Sequence, residues 1–151
     1  MPNVRSLIQL TEDEIRSFIE SSKTVTMATL NHDGFPHLAP MWYSIFDGLI
    51  HMHTYQRSQK VVNIQRDPRG SALIEDGEDY DKLRGVFMRG HFEVIDDQAL
   101  CLKIGLASAE KYMNVDVTAA EPFVREQVKK RVALIFQPEK ISSWDHRKMK
   151  S

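Results

Sequence analysis

Cysteine is almost missing from this chain. Cys101 is the only one among 151 residues, so no intrachain disulfide framework can staple the fold. A lone thiol is far more often a core or surface group than a nucleophile, and its scarcity points to a cytoplasmic setting. Long apolar runs are missing too. Nothing approaches the roughly 18 consecutive apolar residues of a membrane-spanning helix, and the N-terminus lacks the basic-then-apolar order of a secretory signal, so no membrane association is expected. Neither sign of charge is in excess: 20 Lys and Arg against 21 Asp and Glu give a net charge of -1. That leaves no basic surplus for nucleic acid, and the short run Arg147-Lys148-Met149-Lys150 reads as a frayed tail. No internal repeat or low-complexity linker divides the sequence, and 42% hydrophobic residues suffice for one core in a single domain over residues 1–151.

What the chain does have is an unusual placement of cations. His53-Thr54-Tyr55-Gln56-Arg57-Ser58-Gln59-Lys60 leads into the apolar positions Val61, Val62 and Ile64. Ser58 reads as the N-cap of a helix over residues 59–66, stopped by Asp67-Pro68 because proline disfavours a helical residue before it and has no N–H to donate. Lys60 then falls in the first turn and Arg57 just before it, at the partly positive helix end where Asp or Glu is usual. Exposed N–H groups, a hydroxyl, a guanidinium and an ammonium converging on one point suit a phosphate. The alternative is a solvated basic turn, since the end preference is worth only about 0.3–1 kcal/mol per charge.

Thr11-Glu12-Asp13-Glu14 has the form of a capping box, with Leu10 and Ile15 at staple positions, and predicts a helix over 12–20. Val25 to Leu30 alternates as a strand and ends at the turn Asn31-His32-Asp33-Gly34. A second strand is expected from Phe35 through Phe46, reversing at Asp47-Gly48, a type I′ signal, into a third from Leu49 to Thr54. Carried along both strands, that tight turn sets Trp42 opposite His53 and Met41 opposite Thr54, which lays Pro40-Met41-Trp42 beside the cationic loop. A flat ligand with a phosphate tail suits the pairing. Ser71 to Ile74 reads as another strand, and Val86 to Ile95 as a long one in which Gly90 marks a bulge or a close approach. Helices are expected over about 97–113 and, from a second capping box at Thr118-Ala119-Ala120-Glu121, to about Lys130, with Pro122 in the first turn. Val132 to Phe136 is an apolar strand ending before Pro138, and Ile141 and Trp144 fall in a last one. Six or so antiparallel strands with peripheral helices make an α+β unit or small barrel.

The motifs are ordered as follows: Thr26-Met27-Ala28-Thr29-Leu30, Asp33-Gly34-Phe35-Pro36, Pro40-Met41-Trp42-Tyr43, Asp47-Gly48, Thr54 with Lys60 and Asn63, Arg66-Asp67-Pro68-Arg69, Leu83-Arg84-Gly85-Val86 with Gly90, and Pro138-Glu139-Lys140-Ile141-Ser142-Ser143-Trp144-Asp145. In that order and spacing, over nearly the whole chain, the sequence resembles the pyridoxamine-phosphate-oxidase-like superfamily, in particular its flavin- and deazaflavin-dependent oxidoreductase branch. The resemblance implies a mainly antiparallel, six-stranded, Greek-key split β-barrel (the FMN-binding split barrel) with peripheral helices. It implies a homodimer with two cofactor sites at the interface, each built from both chains. The implied activity is hydride transfer between the bound cofactor and a small organic substrate. It also assigns Lys60, with Ser58 and Arg57 or Gln59, to the cofactor phosphate, His53 and Thr54 to its approach, and Pro40, Met41 and Trp42 to the tricyclic ring, with no side chain required as a nucleophile.

Two departures narrow this. Gln59-Lys60 stands where true pyridoxamine-phosphate oxidases usually carry Arg-Lys, and their longer C-terminal Arg and His substrate motif has no counterpart, which disfavours vitamin B6 synthesis. FMN and F420 share the ring and ribityl phosphate. F420 adds an acidic tail for Arg57 or Arg84 to meet, and the branch resemblance, including the terminal Pro138–Asp145 motif, favours F420. A noncatalytic FMN-binding or electron-carrier protein is the alternative, with a haem-binding member behind it. His51 and His53 share a strand face, but no Cys or carboxylate cluster completes a metal set. Glu75 to Asp79 lacks the ligand spacing of an EF-hand, Ser44 and Ser58 lack a nucleophile elbow, and Tyr80 and Tyr112 are phenols without a spacing that marks acid catalysis.

Overall fold

In the computed structural model, described for residues 3–149, seven strands run β1 Val25–Leu30, β2 Pro36–Met41, β3 Ser44–Phe46, β4 Leu49–Tyr55, β5 Arg69–Asp76, β6 Arg84–Ile95 and β7 Arg131–Asp145. Five α-helices accompany them: α1 Val4–Leu7, α2 Glu12–Ser21, α3 Gln59–Arg66, α4 Gln98–Met113 and α5 Val117–Gln127. All strand pairs are antiparallel, in the order β2-β1-β5-β6-β7-β4-β3. The curled α+β sheet with peripheral helices agrees with the split-barrel class, but it has seven strands where six were expected. Among the described residues no helix is long and apolar enough to cross a membrane.

Alternation places the core. Met27, Ala72 and Met88 lie opposite one another on β1, β5 and β6 and are all buried. They join Ile50, Met52, Leu134, Phe136 and Phe92, with Phe18 from α2 and Val61 and Ile64 from α3. On β7 the next residue along, Ala133, faces the other way and is buried under α4 and α5 with Cys101, Ile104 and Val124. Local signals hold where they are strong. Thr11 caps α2 with both bonds of the capping box formed. Asp47 and Gly48 both take positive φ (54° and 75°), as a primed hairpin turn requires, and Ser44, Ile45 and Phe46 meet His51, Ile50 and Leu49 in the expected register.

The expected strand over 35–46 is in fact two strands, at opposite edges of the sheet. Residues 36–41 belong to a second tight hairpin, turning at Gly34 and running along β1 from Leu30↔Pro36 to Val25↔Met41. A segment claimed by two hairpins of different register must break between them, and it breaks at Trp42-Tyr43. The predicted Trp42–His53 and Met41–Thr54 pairs therefore do not form; His53 and Thr54 lie opposite Ala133 and Val132. Conversely, the two strands expected near the C-terminus fuse into β7. Pro138 sits opposite Gly90, where the register slips between Arg89 and Gly90, so the missing N–H is absorbed by a bulge. A Cβ at Gly90 would run into the Gln137 carbonyl, the close approach that the glycine signalled.

The second capping box does not form. α5 begins at Val117 after Asp116, with no side-chain cap, so Pro122 lies beyond the first turn, and a 3₁₀ turn at Val128–Lys130 leads into β7. The basic tail is tied down rather than frayed: Arg147 pairs with buried Asp145, and Lys148 reaches Glu14 at 2.7 Å. Lys150 lies outside the described residues.

Candidate functional site

Beside the break at Trp42-Tyr43, a cavity of about 460 Å³ lies between the end of β2, β4 and the helices α4 and α5. Pro40, Met41 and Trp42 form one wall, and His53 and Arg131 line it as well. Residues placed side by side by a register that does not form are thus brought to one cavity by the curl of the sheet. Gly105 of α4 adds to the lining; a Cβ there would strike the Val124 side chain of α5, so glycine suits the close approach of the two helices.

Arg131 opens β7 opposite Tyr55, and its guanidinium lies over the Tyr55 ring at 4.6 Å. Its Nη1 donates to His53 Nδ1 at 3.0 Å. Burial, and then the Arg131 charge, push the His53 imidazolium down to about 4, so His53 is neutral at physiological pH and accepts this bond. The Arg131 Nε is buried without a partner. Lys60 stands in the first turn of α3, a turn free of acidic residues. Its amine is held below the usual lysine range by burial first and by Arg131 second, and no described carboxylate pairs with it. Ser58 occupies the N-cap, yet its hydroxyl makes no capping bond and is buried without a partner.

The remaining expected residues are spread out. Thr54 is buried on the opposite face of β4 from His53 and does not line the cavity. Gln59 is exposed, and its amide donates at 2.8 Å to Asn63, which in turn reaches Thr29 on β1. Arg57 is exposed. Arg84 is engaged elsewhere, bound to Asp76 at 2.8 Å and stacked over Phe18. Two residues that sequence reasoning did not assign to the site belong to its surroundings: Arg131, and Tyr112 of α4, whose ring stacks on Trp42 at 4.4 Å and 5°. The only local hint of Arg131 is its place after two lysines at the start of an apolar strand.

A model of the pyridoxamine 5'-phosphate oxidase family matches residues 11–145. The chain belongs to that family. Within the pyridoxamine 5'-phosphate oxidase-like split barrels, it is similar to the conserved hypothetical protein Rv2991 from Mycobacterium tuberculosis. That structure is 41% identical, with a TM-score of 0.92, over 97% of this chain and 92% of that one. An F420 reductase is 22% identical with a TM-score of 0.63, covering 84% of this chain and 94% of its own. HutZ, the heme storage protein from Vibrio cholerae, is 15% identical with a TM-score of 0.66, covering 87% and 94%. At these two lower identities the likeness is one of fold. No curated protein matches the chain.

Proposed function

We propose that this chain is a flavin- or deazaflavin-dependent oxidoreductase, with F420 favoured over FMN, that transfers a hydride between the bound cofactor and a small organic substrate. The observation that carries this reading is the pair of orphaned polar atoms, Ser58 Oγ and Arg131 Nε, near the unpaired Lys60. A buried polar group left without a partner costs about 1–3 kcal/mol, so donors gathered this way fit an anion such as a ribityl phosphate. The apolar wall of Pro40, Met41 and Trp42 fits a flat ring at the other end of the ligand.

When bound, the cofactor supplies the redox chemistry. The chain's own work is to hold and exclude. Lys60, Ser58 and Arg131 would anchor the phosphate, while Pro40, Met41 and Trp42 would line the ring and keep water from it. No nucleophilic side chain is called on. The same reading includes a homodimer with the cofactor sites at the interface. The resemblance to the oxidoreductase branch and the fold likeness to an F420 reductase support the choice of F420, and the departure at Gln59 sets the chain apart from vitamin B6 synthesis.

Titration of the purified protein with both cofactors tests this. Micromolar binding of F420 by a colourless protein, followed by turnover with a panel of reducible acceptors, is the expected result. A yellow preparation that releases FMN shifts the assignment to FMN, and binding without turnover makes the protein a carrier. If neither cofactor binds, the reading fails, and a haem titration tests the alternative.

A further inference from the structure

Where the chain crosses from β2 to β3, Tyr43 lies outside both hairpins and needs other partners for its backbone. Tyr112, in the last turn of α4, supplies them: its hydroxyl accepts from the Tyr43 N–H and donates to the Tyr43 carbonyl, each at 2.9 Å. Lys111 donates to the same carbonyl at 3.1 Å, its ammonium lying over the Tyr43 ring at 3.9 Å. The Trp42 indole rests flat on the Tyr112 ring, yet Trp42 remains 53% exposed, so the stack leaves much of the indole open. Trp42 lines the cavity; Tyr112 and Lys111 do not.

We propose that Tyr112 is a positioning residue: through the Tyr43 backbone and the Trp42 ring it fixes where the Pro40–Trp42 wall stands, and so the gap into which the cofactor ring fits. This rests on the functional reading above for the identity of the ligand, but the positioning of Trp42 itself does not. Two hydrogen bonds to one residue and a parallel stack on its neighbour set both the height and the tilt of that wall, which apolar packing alone would leave free to slide.

The test uses a Trp144→Phe background, in which Trp42 is the sole indole. Tyr112→Leu removes the stack, and Tyr112→Phe keeps the stack while removing both bonds to Tyr43. Both should change the fluorescence and near-UV circular dichroism of Trp42. Tyr112→Phe should raise the dissociation constant of the bound cofactor roughly tenfold. Ile74→Val, a truncation in the buried core on β5 away from the cavity, serves as the control: it should lower the melting temperature without changing cofactor affinity. The proposal is overturned if Tyr112→Phe leaves either the Trp42 spectrum or the affinity at the parent values, or if Ile74→Val weakens binding as much. If the parent binds neither F420 nor FMN, the functional reading fails, and the Trp42 spectrum still decides whether Tyr112 positions it.

Discussion

Burial, and then the like charge of Arg131, lower the Lys60 pKa, and no described carboxylate pairs with Lys60. Such an arrangement is costly unless something negative joins it. Lys60→Ala should therefore weaken cofactor binding by about 1.5–3 kcal/mol, or roughly 10- to 150-fold, while easing the repulsion in the free protein. Calorimetric titration of both proteins checks this, and an unchanged affinity would remove Lys60 from the phosphate site. His53, beside the same Arg131, gives a second signature. Its folded pKa of about 4 lies below the ordinary 6.5 of a histidine, with burial as the larger cause and Arg131 next. Between those two values the unfolded chain takes up a proton that the folded one refuses. The stability associated with neutral His53 is thus fully present above about pH 6.5 and is lost as the pH falls toward 4, on the order of 3 kcal/mol in all. Urea midpoints measured across that window should fall in the parent and fall less in His53→Gln. Asp67, whose carboxyl is held down to about 2 by hydrogen bonds from Arg69, titrates below the window and does not confuse it.

Elements whose signals are local could be read from the sequence. Thr11 and Glu14 are three residues apart and specify the start of α2 by themselves; Asp67-Pro68 ends α3; Asp47-Gly48 turns the hairpin. The Thr11 box is correspondingly testable in isolation: Thr11→Ala should cost about 0.5–2 kcal/mol, read as a lower denaturation midpoint with an unchanged slope. The split of residues 35–46 was hidden because two legitimate hairpin turns claim the same segment. The groups that receive the broken backbone come from Tyr112, 69 residues away, which no local pattern announces. Arg131 was hidden for the same reason, reaching His53 across 78 positions. At the C-terminal helix, Thr118 and Glu121 have capping-box spacing, but the helix starts earlier, from Asp116, and makes that spacing incidental. The candidate site was therefore half legible. Pro40, Met41, Trp42 and His53 do meet at one cavity, although through the curl of the sheet rather than a shared ladder, while Thr54 and Gln59 turn to other partners.

At the scale of the whole molecule, the outer face of the sheet is buried under α4 and α5 at Ala133 of β7, while its side chains on β2, β1, β5 and β6 are half-buried or exposed. Pro40, Thr26, Leu73 and Phe87 form a row across β2, β1, β5 and β6, and Leu38 and Ala28 begin the next. Leu38, Thr26, Ala28, Leu73 and Phe87 belong to neither buried cluster, and Leu38 is 65% exposed, with Phe35 nearby at 70%. Exposed apolar residues grouped in this way at Phe35, Leu38 and Pro40 suit an interaction surface. Pro40 belongs both to this row and to the cavity wall, so whatever covers the patch also comes up to the mouth of the candidate cofactor site. A second copy of the chain would satisfy both demands, in keeping with the proposed homodimer and its interfacial cofactor sites. Leu38→Glu puts a charge on the exposed edge strand of the patch, away from both cores, so it should leave the circular dichroism and melting temperature near those of the parent. It should convert a dimer to a monomer by light scattering and, because the site would lose its second chain, weaken cofactor binding in parallel. A parent protein that is monomeric at micromolar concentration, or a Leu38→Glu dimer that binds cofactor as well as the parent, would show that the sites are complete within one chain and that this face serves another purpose.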